Sequence, residues 1–142
     1  MIKSFRGQIA HAEVETIRLS TNNGLTGYRI KKFQVMALDA NEDVENTVAL
    51  YSVDPGTPTS TAVNFDDPTL LGAAMIWANI NQVYVHESMI IFDNTTFNQD
   101  IFVSNYHDGA SKGLNYYLEL EQVKLDVGEA AVATLKDMRG RN

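Results

Sequence analysis

Alternation of apolar and polar residues within 114–123 constrains the fold more than any other feature of the sequence. Successive side chains of a β-strand point to opposite faces of the sheet, so a period of two predicts a strand with one buried face. The chain must therefore contain a sheet with an apolar side. The alternating positions are Leu114, Tyr116, Leu118 and Leu120 on one parity, and Asn115, Tyr117, Glu119 and Glu121 on the other.

Shorter runs rich in β-branched and aromatic residues are spread along the rest of the chain. Within the run at 28–38 the apolar parity changes at Lys31-Lys32, which predicts a β-bulge or a strand that changes partner sheet. The run at 5–19 is weaker and is predicted to break near residues 10–12. The other predicted strands lie at 48–53, 82–85, 88–92 and 101–103.

Turn-forming residues separate these runs, at 22–24, 39–46, 54–56 and 107–113. Seven or eight short strands with such loops predict an all-β, mainly antiparallel fold, a β-sandwich or jelly roll. A length of 142 residues suits one core, so we expect residues 1–142 to form a single sandwich domain. The predicted core includes Val35, Leu50, Ile91, Leu118 and Leu120, which share the apolar parity of their strands.

A short helix is predicted near 68–78. Asp67 can cap it and Pro68 can occupy its first position, since the fixed φ of proline suits the start of a helix. Four apolar residues follow at helical spacing, namely Leu71, Ala74, Met75 and Ala78.

A second helix is predicted at about 127–138, where Asp126 and Glu129 have the spacing of a capping box. Such a short helix is marginal alone and needs its apolar side covered by protein, by a neighbouring subunit or by the open edge of the domain. We therefore predict that residues 126–142 mediate assembly. The apolar stripe consists of Val127, Ala130, Ala131, Thr134, Leu135 and Met138.

Composition excludes several classes of protein. The longest nearly apolar run, 70–80, is far shorter than the roughly 20 residues that span a bilayer, and no signal-peptide pattern is present. The absence of cysteine excludes disulfides and thiolate metal sites. A formal net charge of −7 opposes general nucleic-acid binding, because contact with phosphates needs a positive surface. We expect a protein that is made in the cytoplasm.

Motifs of the familiar enzymes are missing: there is no phosphate-binding glycine loop, no GxSxG elbow and no HExxH pair. Tyr106-His107-Asp108 places an imidazole beside a carboxylate, but no nucleophile or electrophile stands at a defined spacing from it. Whether His11, His86 and His107 meet in space cannot be read from the sequence. We predict no enzymatic activity and no cofactor.

One segment has the beginning of a calcium loop. Asp39, Asn41 and Asp43 occupy its first three ligand positions, but Val44 replaces the required glycine and Leu50 stands in place of the bidentate glutamate. We therefore predict a solvated acidic loop and no dependence of folding on metal.

Aromatic and basic residues supply the candidate binding positions. Tyr117 lies on the polar parity of its strand, where a tyrosine can anchor a protein interface or stack on a sugar. Basic residues near the C-terminus either complement the negative end of the final helix or face nucleic acid inside a particle. The candidate interface residues are Trp77, Tyr106, Tyr117, Val127, Ala131, Leu135, Met138, Arg139 and Arg141.

Residues 88–125 carry a family resemblance. The segments Ser88-Met89-Ile90-Ile91-Phe92-Asp93, Asp100-Ile101-Phe102-Val103 and Leu114-Asn115-Tyr116-Tyr117-Leu118-Glu119-Leu120 are similar to small structural proteins of environmental bacteriophages and other tailless-type viruses. In those proteins a single jelly roll or β-sandwich is a capsid component. The resemblance implies a virion protein, made in the host cytoplasm and assembled in many copies with itself and other virion proteins, as capsid, minor capsid or decoration component.

The alternative hypothesis is a carbohydrate- or ligand-binding β-sandwich module. In that case Trp77 or Tyr117 provides the stacking platform, and the loop at 39–43 holds an ion. Solution mass distinguishes the two hypotheses, because a subunit of a particle associates whereas a binding module can remain a monomer.

Overall fold

Two antiparallel sheets make up most of the molecule. The computed structural model of the chain describes residues 1–78 and 86–138. Within them the strands are β1 (Ile2–Ile9), β2 (Glu13–Ile17), β3 (Thr26–Ala37), β4 (Val44–Tyr51), β5 (Leu70–Ala78), β6 (His86–Ile91), β7 (Ile101–His107) and β8 (Leu114–Lys124), followed by helix α1 (Val127–Met138). The small sheet has the order β1-β8-β3 and the large sheet the order β2-β7-β4-β5-β6. The predicted all-β, antiparallel sandwich is confirmed.

The alternating strand lies at the centre of the small sheet. Leu114, Leu118 and Leu120 are completely buried and Tyr116 nearly so, whereas the residues between them face outward. The core between the sheets also contains Val35 and Leu50, as predicted. Ile91 is only partly buried and packs against the edge of this core, because β6 is the last strand of the large sheet. The predicted face of β8 is therefore confirmed.

Two predicted irregularities let the chain bend. The register of β3 with β8 shifts between Ile30 and Lys32, so Lys31 is the extra residue of a bulge. The first strand breaks at residues 10–12, where the chain passes from the small sheet to the large one. Ala12 adopts a φ of 57° there and donates its N–H to the Asn105 carbonyl at 2.8 Å. Both irregularities lie where the sequence predicted them, and the one at Lys31 follows from the change in apolar parity.

The prediction of a helix near 68–78 is wrong, because residues 70–78 form strand β5 between β4 and β6. Asp67 does cap, but it caps a turn: its carboxylate accepts the Thr69 N–H at 2.8 Å. Ala74 and Ile76 face the core, whereas Ala73 packs on the opposite side of the sheet, in a cluster that includes Ala49, Leu70 and Val63. A strand buried on both faces has no period of two, so its small apolar residues imitate helical spacing.

Helix α1 occupies the predicted residues and has the predicted cap. The Glu129 N–H donates to Asp126 Oδ1 at 2.7 Å, and the Asp126 N–H donates to Glu129 Oε1 at 3.2 Å. These reciprocal bonds form a capping box. Among the described residues no helix has the length and apolar character needed to cross a membrane. The predicted strand at 82–85 lies outside the described residues.

Candidate functional site

Helix α1 contacts the domain through a narrow side made of small residues. Ala130 and Ala133 are buried in a cluster with Leu125, and Leu25 and Val123 pack against that cluster. The cluster is separate from the main core between the sheets. Because alanine side chains bury little area, this contact leaves most of the helix surface uncovered.

The predicted apolar stripe is divided between two sides of the helix: Val127, Ala131 and Leu135 are exposed, whereas Ala130 is buried and Thr134 is half-buried beside Asn98. Val132, which was not part of the predicted stripe, is exposed as well. Val127 is 77% exposed, Val132 67% and Leu135 61%, and Ala131 is exposed beside them. We call these four residues the helix stripe. The side chain of Met138, and Arg139 and Arg141 altogether, lie outside the described residues. Lys136 is exposed in the last turn of the helix, where a cation complements the helix dipole.

A buried amide that the sequence analysis did not single out holds the helix in place. Asn98 is completely buried, and its Nδ2 group lies 2.8 Å from Thr134 Oγ1, 3.0 Å from the Gly24 carbonyl and 3.2 Å from the Ala130 carbonyl. It therefore joins the loop after β2, the segment before β7 and the helix. No local pattern around Asn98 marks this role, since its partners are distant in sequence.

Tyr117 lies in the middle of the outward face of the small sheet. The strand register places Arg6, Tyr117 and Gln34 side by side, with a row on each side of them. The tyrosine hydroxyl donates to Glu119 Oε1 at 2.7 Å, and this hydrogen bond raises the pKa of Tyr117. We call this surface the small-sheet face. Its residues are Ser4, Arg6, Gln8, Arg29, Lys32, Gln34, Met36, Asn115, Tyr117, Glu119 and Glu121.

Lysines and arginines predominate on the small sheet. Its three strands hold six of the eleven lysines and arginines of the chain but only two of the eighteen carboxylates. Glu121 is engaged by Arg29 at 3.4 Å and Lys31 at 3.3 Å. Within residues 1–78 and 86–138, neither Arg6 nor Lys32 forms an ion pair. These two side chains therefore leave positive charge on the small-sheet face.

A hollow of about 630 Å³ lies beside the small sheet and is bounded by residues of both of its faces and by Glu87 and Met89 of β6. From the small-sheet face it is lined by Arg6, Met36, Tyr117 and three residues with carboxamide side chains, and from the core side by Gly7, Val35 and Tyr116. The carboxamides belong to Gln8, Gln34 and Asn115. Such a lining can donate and accept hydrogen bonds around an aromatic surface.

Trp77 lies on the other side of the sandwich, on the outward face of the large sheet. It is 40% exposed and is the cross-strand partner of Glu45. Asp108 is held beside them, because its N–H donates to the Glu45 carbonyl at 2.9 Å. Together with Met75 these residues line a hollow of about 380 Å³, which we call the Trp77 hollow. It combines an aromatic ring with two exposed carboxylates.

Tyr106 is half-buried and belongs to neither hollow. Its ring lies 4.7 Å from that of His11, measured between centroids. It also lines a smaller hollow of about 210 Å³ under the loop at 55–62, which is rich in threonine and serine. The structure therefore keeps Tyr106, Trp77 and Tyr117 at three separate places, although all three were candidates for an interface.

Two histidines meet at the end of the sandwich. The His107 N–H donates to His11 Nδ1 at 3.0 Å, and the Ser111 N–H donates to His107 Nδ1 at 3.2 Å. Burial, together with the nearby His11 and Lys112, lowers the pKa of His107. Its Nδ1 atom acts as an acceptor in a loop, which is a structural use of the imidazole. The side chain of His86 lies outside the described residues.

The acidic loop at 39–43 is closed by its own backbone. Asp39 Oδ1 accepts the Asn41 N–H at 3.0 Å, and the Asp39 carbonyl accepts the Glu42 N–H at 3.2 Å. Within the described residues, no three histidine, aspartate or glutamate side chains are grouped so that they could hold a metal ion.

Comparison with known proteins gives a weak structural likeness and no family. No protein-family model matches the chain, and no curated protein matches it, so membership of a virion-protein family is not shown. Among solved structures the chain is similar to one described as "Bacillus endospore appendages form a novel family of disulfide-linked pili". That comparison gives 11% identity and a TM-score of 0.40, and covers 89% of this chain and 88% of the other.

Proposed function

We propose that the chain is a non-enzymatic structural protein that assembles in many copies, and that the assembly is a virus particle in which it is a capsid, minor capsid or decoration component. The helix stripe carries the proposal of assembly. A capped helix holds Val127, Val132 and Leu135 in water, where each exposes apolar area that association would bury. The resemblance at residues 88–125 supports the virion as the site of assembly.

The free energy gained by burying the helix stripe favours association through this helix. Complete burial of one valine or leucine side chain contributes roughly 1.5–3 kcal/mol, so three such residues can contribute a substantial part of a subunit contact. The alanine side of the helix is already used within the domain. A second copy of the chain is the occupant that we propose for the helix stripe, because a particle built of many copies offers the same stripe repeatedly.

Sedimentation of the full chain and of two variants tests the assembly. Val132→Lys with Leu135→Lys places two cations in the helix stripe, and we expect smaller assemblies than those of the unchanged chain. Leu38→Lys with Met1→Lys is the matched control, because both residues are exposed and apolar but lie outside the helix. A full chain that stays monomeric over the whole concentration range would contradict the proposal, and so would equal effects of the two variants.

The identity of the assembly is tested separately. Mass spectrometry of purified virus particles should detect this chain at a stoichiometry of many copies for each particle. Its absence from such particles, combined with self-association of the purified protein, would retain a structural role and exclude the virion.

A glycan-binding module is the second candidate function. The hollow beside the small sheet favours it, because its lining includes Tyr117, Arg6 and three residues with carboxamide side chains, which match the stacking and hydrogen-bonding needs of a sugar. A glycan array discriminates between the two functions. Retention of a saccharide by the unchanged chain and its loss in Tyr117→Ala would favour this candidate.

A further inference from the structure

We propose that the Trp77 hollow of one copy receives the cationic side chains of Arg6 and Lys32 from the small-sheet face of a second copy. The inference rests on the proposed self-assembly and names the two surfaces that meet. These surfaces belong to opposite faces of the sandwich, so each copy offers one of each. The contact is therefore head-to-tail and can be repeated from copy to copy.

The distribution of charge between the sheets is the first argument. The outward face of the small sheet carries Arg6, Arg29 and Lys32. The strands of the large sheet contain neither lysine nor arginine, and the glutamate on their outward face is Glu45, beside Trp77. Contact between the outward faces of unlike sheets brings opposite charges together. Such complementarity steers encounter and fixes the orientation of two surfaces.

Charges on the edge strands give the second argument. They disfavour the simplest alternative assembly, in which a sheet of one copy is extended edge to edge by the same sheet of another copy. Lateral growth of the small sheet would bring Lys3 and Arg6 of β1 towards Lys31 and Lys32 of β3, its two edge strands. Lateral growth of the large sheet would bring the glutamates of β2 towards Glu87 of β6. Like charges on facing strands are destabilising, and charged edges discourage edge-to-edge pairing.

The Trp77 hollow has the chemistry to bind a cation. An indole face attracts a lysine or arginine side chain, and the carboxylates of Glu45 and Asp108 lie in the same hollow. On the small-sheet face, the strand register places Arg6 next to Tyr117 and Lys32 next to Glu119, in adjacent rows. The two cations therefore lie on the same surface, on either side of the central strand β8.

The chain contains a single tryptophan, so its fluorescence reports on this hollow alone. As the concentration of the unchanged chain rises, we expect the Trp77 emission maximum to move to shorter wavelength in parallel with association. The face variant, Arg6→Glu with Lys32→Glu, should require roughly tenfold higher concentration or more for the same shift. The control variant, Lys3→Glu with Lys124→Glu, changes the net charge equally and should behave like the unchanged chain.

Mixing two defective variants tests the head-to-tail arrangement. The face variant retains its Trp77 hollow, and Trp77→Ala retains its small-sheet face. Their mixture should recover the emission shift that the face variant lacks alone, since the one tryptophan present is then covered by the other chain. Glu45→Lys with Asp108→Lys is an independent variant of the hollow that retains the tryptophan, and it should also fail to shift alone. Circular dichroism confirms that each variant is folded.

The outcomes separate this inference from the proposed function. A monomeric unchanged chain without any emission shift overturns both. Association of the unchanged chain with no shift, or with the same shift in the face variant, overturns the inference and leaves self-assembly standing. If a saccharide shifts the Trp77 emission of the monomer, the inference is overturned and the glycan-binding module is favoured.

Discussion

Individual buried residues stabilise this molecule in two different ways. Leu118 and Leu120 fill the space between the sheets, whereas Asn98 and His107 hold loops and the helix through hydrogen bonds. Apolar parity identifies the first kind of residue from the sequence. The second kind depends on partners that are far away along the chain, so no local pattern reveals it.

Leu118→Ala should lower the free energy of unfolding by about 2–5 kcal/mol, because the side chain is completely buried at the centre of the core and its removal leaves a cavity. Gln34→Ala, on the exposed face of the neighbouring strand, should change stability by less than about 0.5 kcal/mol. Denaturant titration of both variants makes the measurement. Nearly equal midpoints would contradict the assigned face of β8.

His107 should make the domain less stable as the pH falls below about 6.5, the ordinary pKa of histidine. Its pKa is lowered in the folded state, chiefly by burial, so unfolding takes up a proton in this range. The contribution is fully present above the unfolded pKa and is lost as the pH falls through the folded one. His107→Gln should reduce the slope of stability against pH, measured by thermal melting between pH 7.5 and pH 5.

Carboxylates titrate at lower pH than histidine, so their influence on stability is distinguished from that of His107 by the pH range in which it occurs. Burial alone would raise the pKa of Asp100, but hydrogen bonds from Ser20 and from the Leu19 N–H outweigh it, and the pKa is lowered. An unchanged slope in His107→Gln would show that other groups cause the loss of stability between pH 7.5 and pH 5.

At the scale of elements, the C-terminal helix is an addition to a completed sandwich. Its capping box defines where it begins, and its contact with the domain consists of a few small residues and the Asn98 hydrogen bonds. Strand β5 shows the opposite case. It is an integral central strand although its sequence has helical spacing, because sheet neighbours on both sides override local preference.

Asn98→Ala should loosen the helix by removing the amide that lies between Gly24, Ala130 and Thr134. Leaving buried acceptors without a partner costs about 1–3 kcal/mol. We expect faster hydrogen exchange of the helix amides with little change in the central strands. Uniformly faster exchange would show instead that the helix and the sandwich unfold together.

Deletion of residues 126–142 should leave a folded β domain that no longer forms the assemblies of the full chain. The main core is separate from the cluster under the helix, so the sheets retain their packing. Circular dichroism checks the fold and sedimentation checks the assembly. Identical assemblies from the truncated chain would exclude the helix as an assembly element, and an unfolded product would make it part of the core.

At the scale of the whole molecule, charged and apolar side chains are exposed in separate regions of the surface. The small-sheet face carries cations, the opposite side of the sandwich holds Glu45 and Asp108 beside Trp77, and the helix presents apolar side chains to solvent. Neither property stabilises the isolated domain. Both become favourable when copies pack together, which links the architecture to the proposed structural role.

Chelation should leave the melting temperature of the domain unchanged. The loop at 39–43 is closed by its own backbone hydrogen bonds, and Val44 and Leu50 occupy positions where a calcium loop needs glycine and glutamate. Melting curves in EDTA and in excess calcium make the measurement. A drop of several degrees in EDTA that calcium reverses would contradict this prediction and support an ion in the loop.

The sequence by itself determined the features that depend on short-range rules. The buried face of β8, an irregularity at Lys31 and the Asp126–Glu129 capping box all follow from parity or spacing within one element. Tertiary structure decided what depends on partners from elsewhere. It made residues 70–78 a strand, placed Trp77 beside Glu45 and Asp108, and collected cations on one sheet, because strand order and register are set by packing between distant segments.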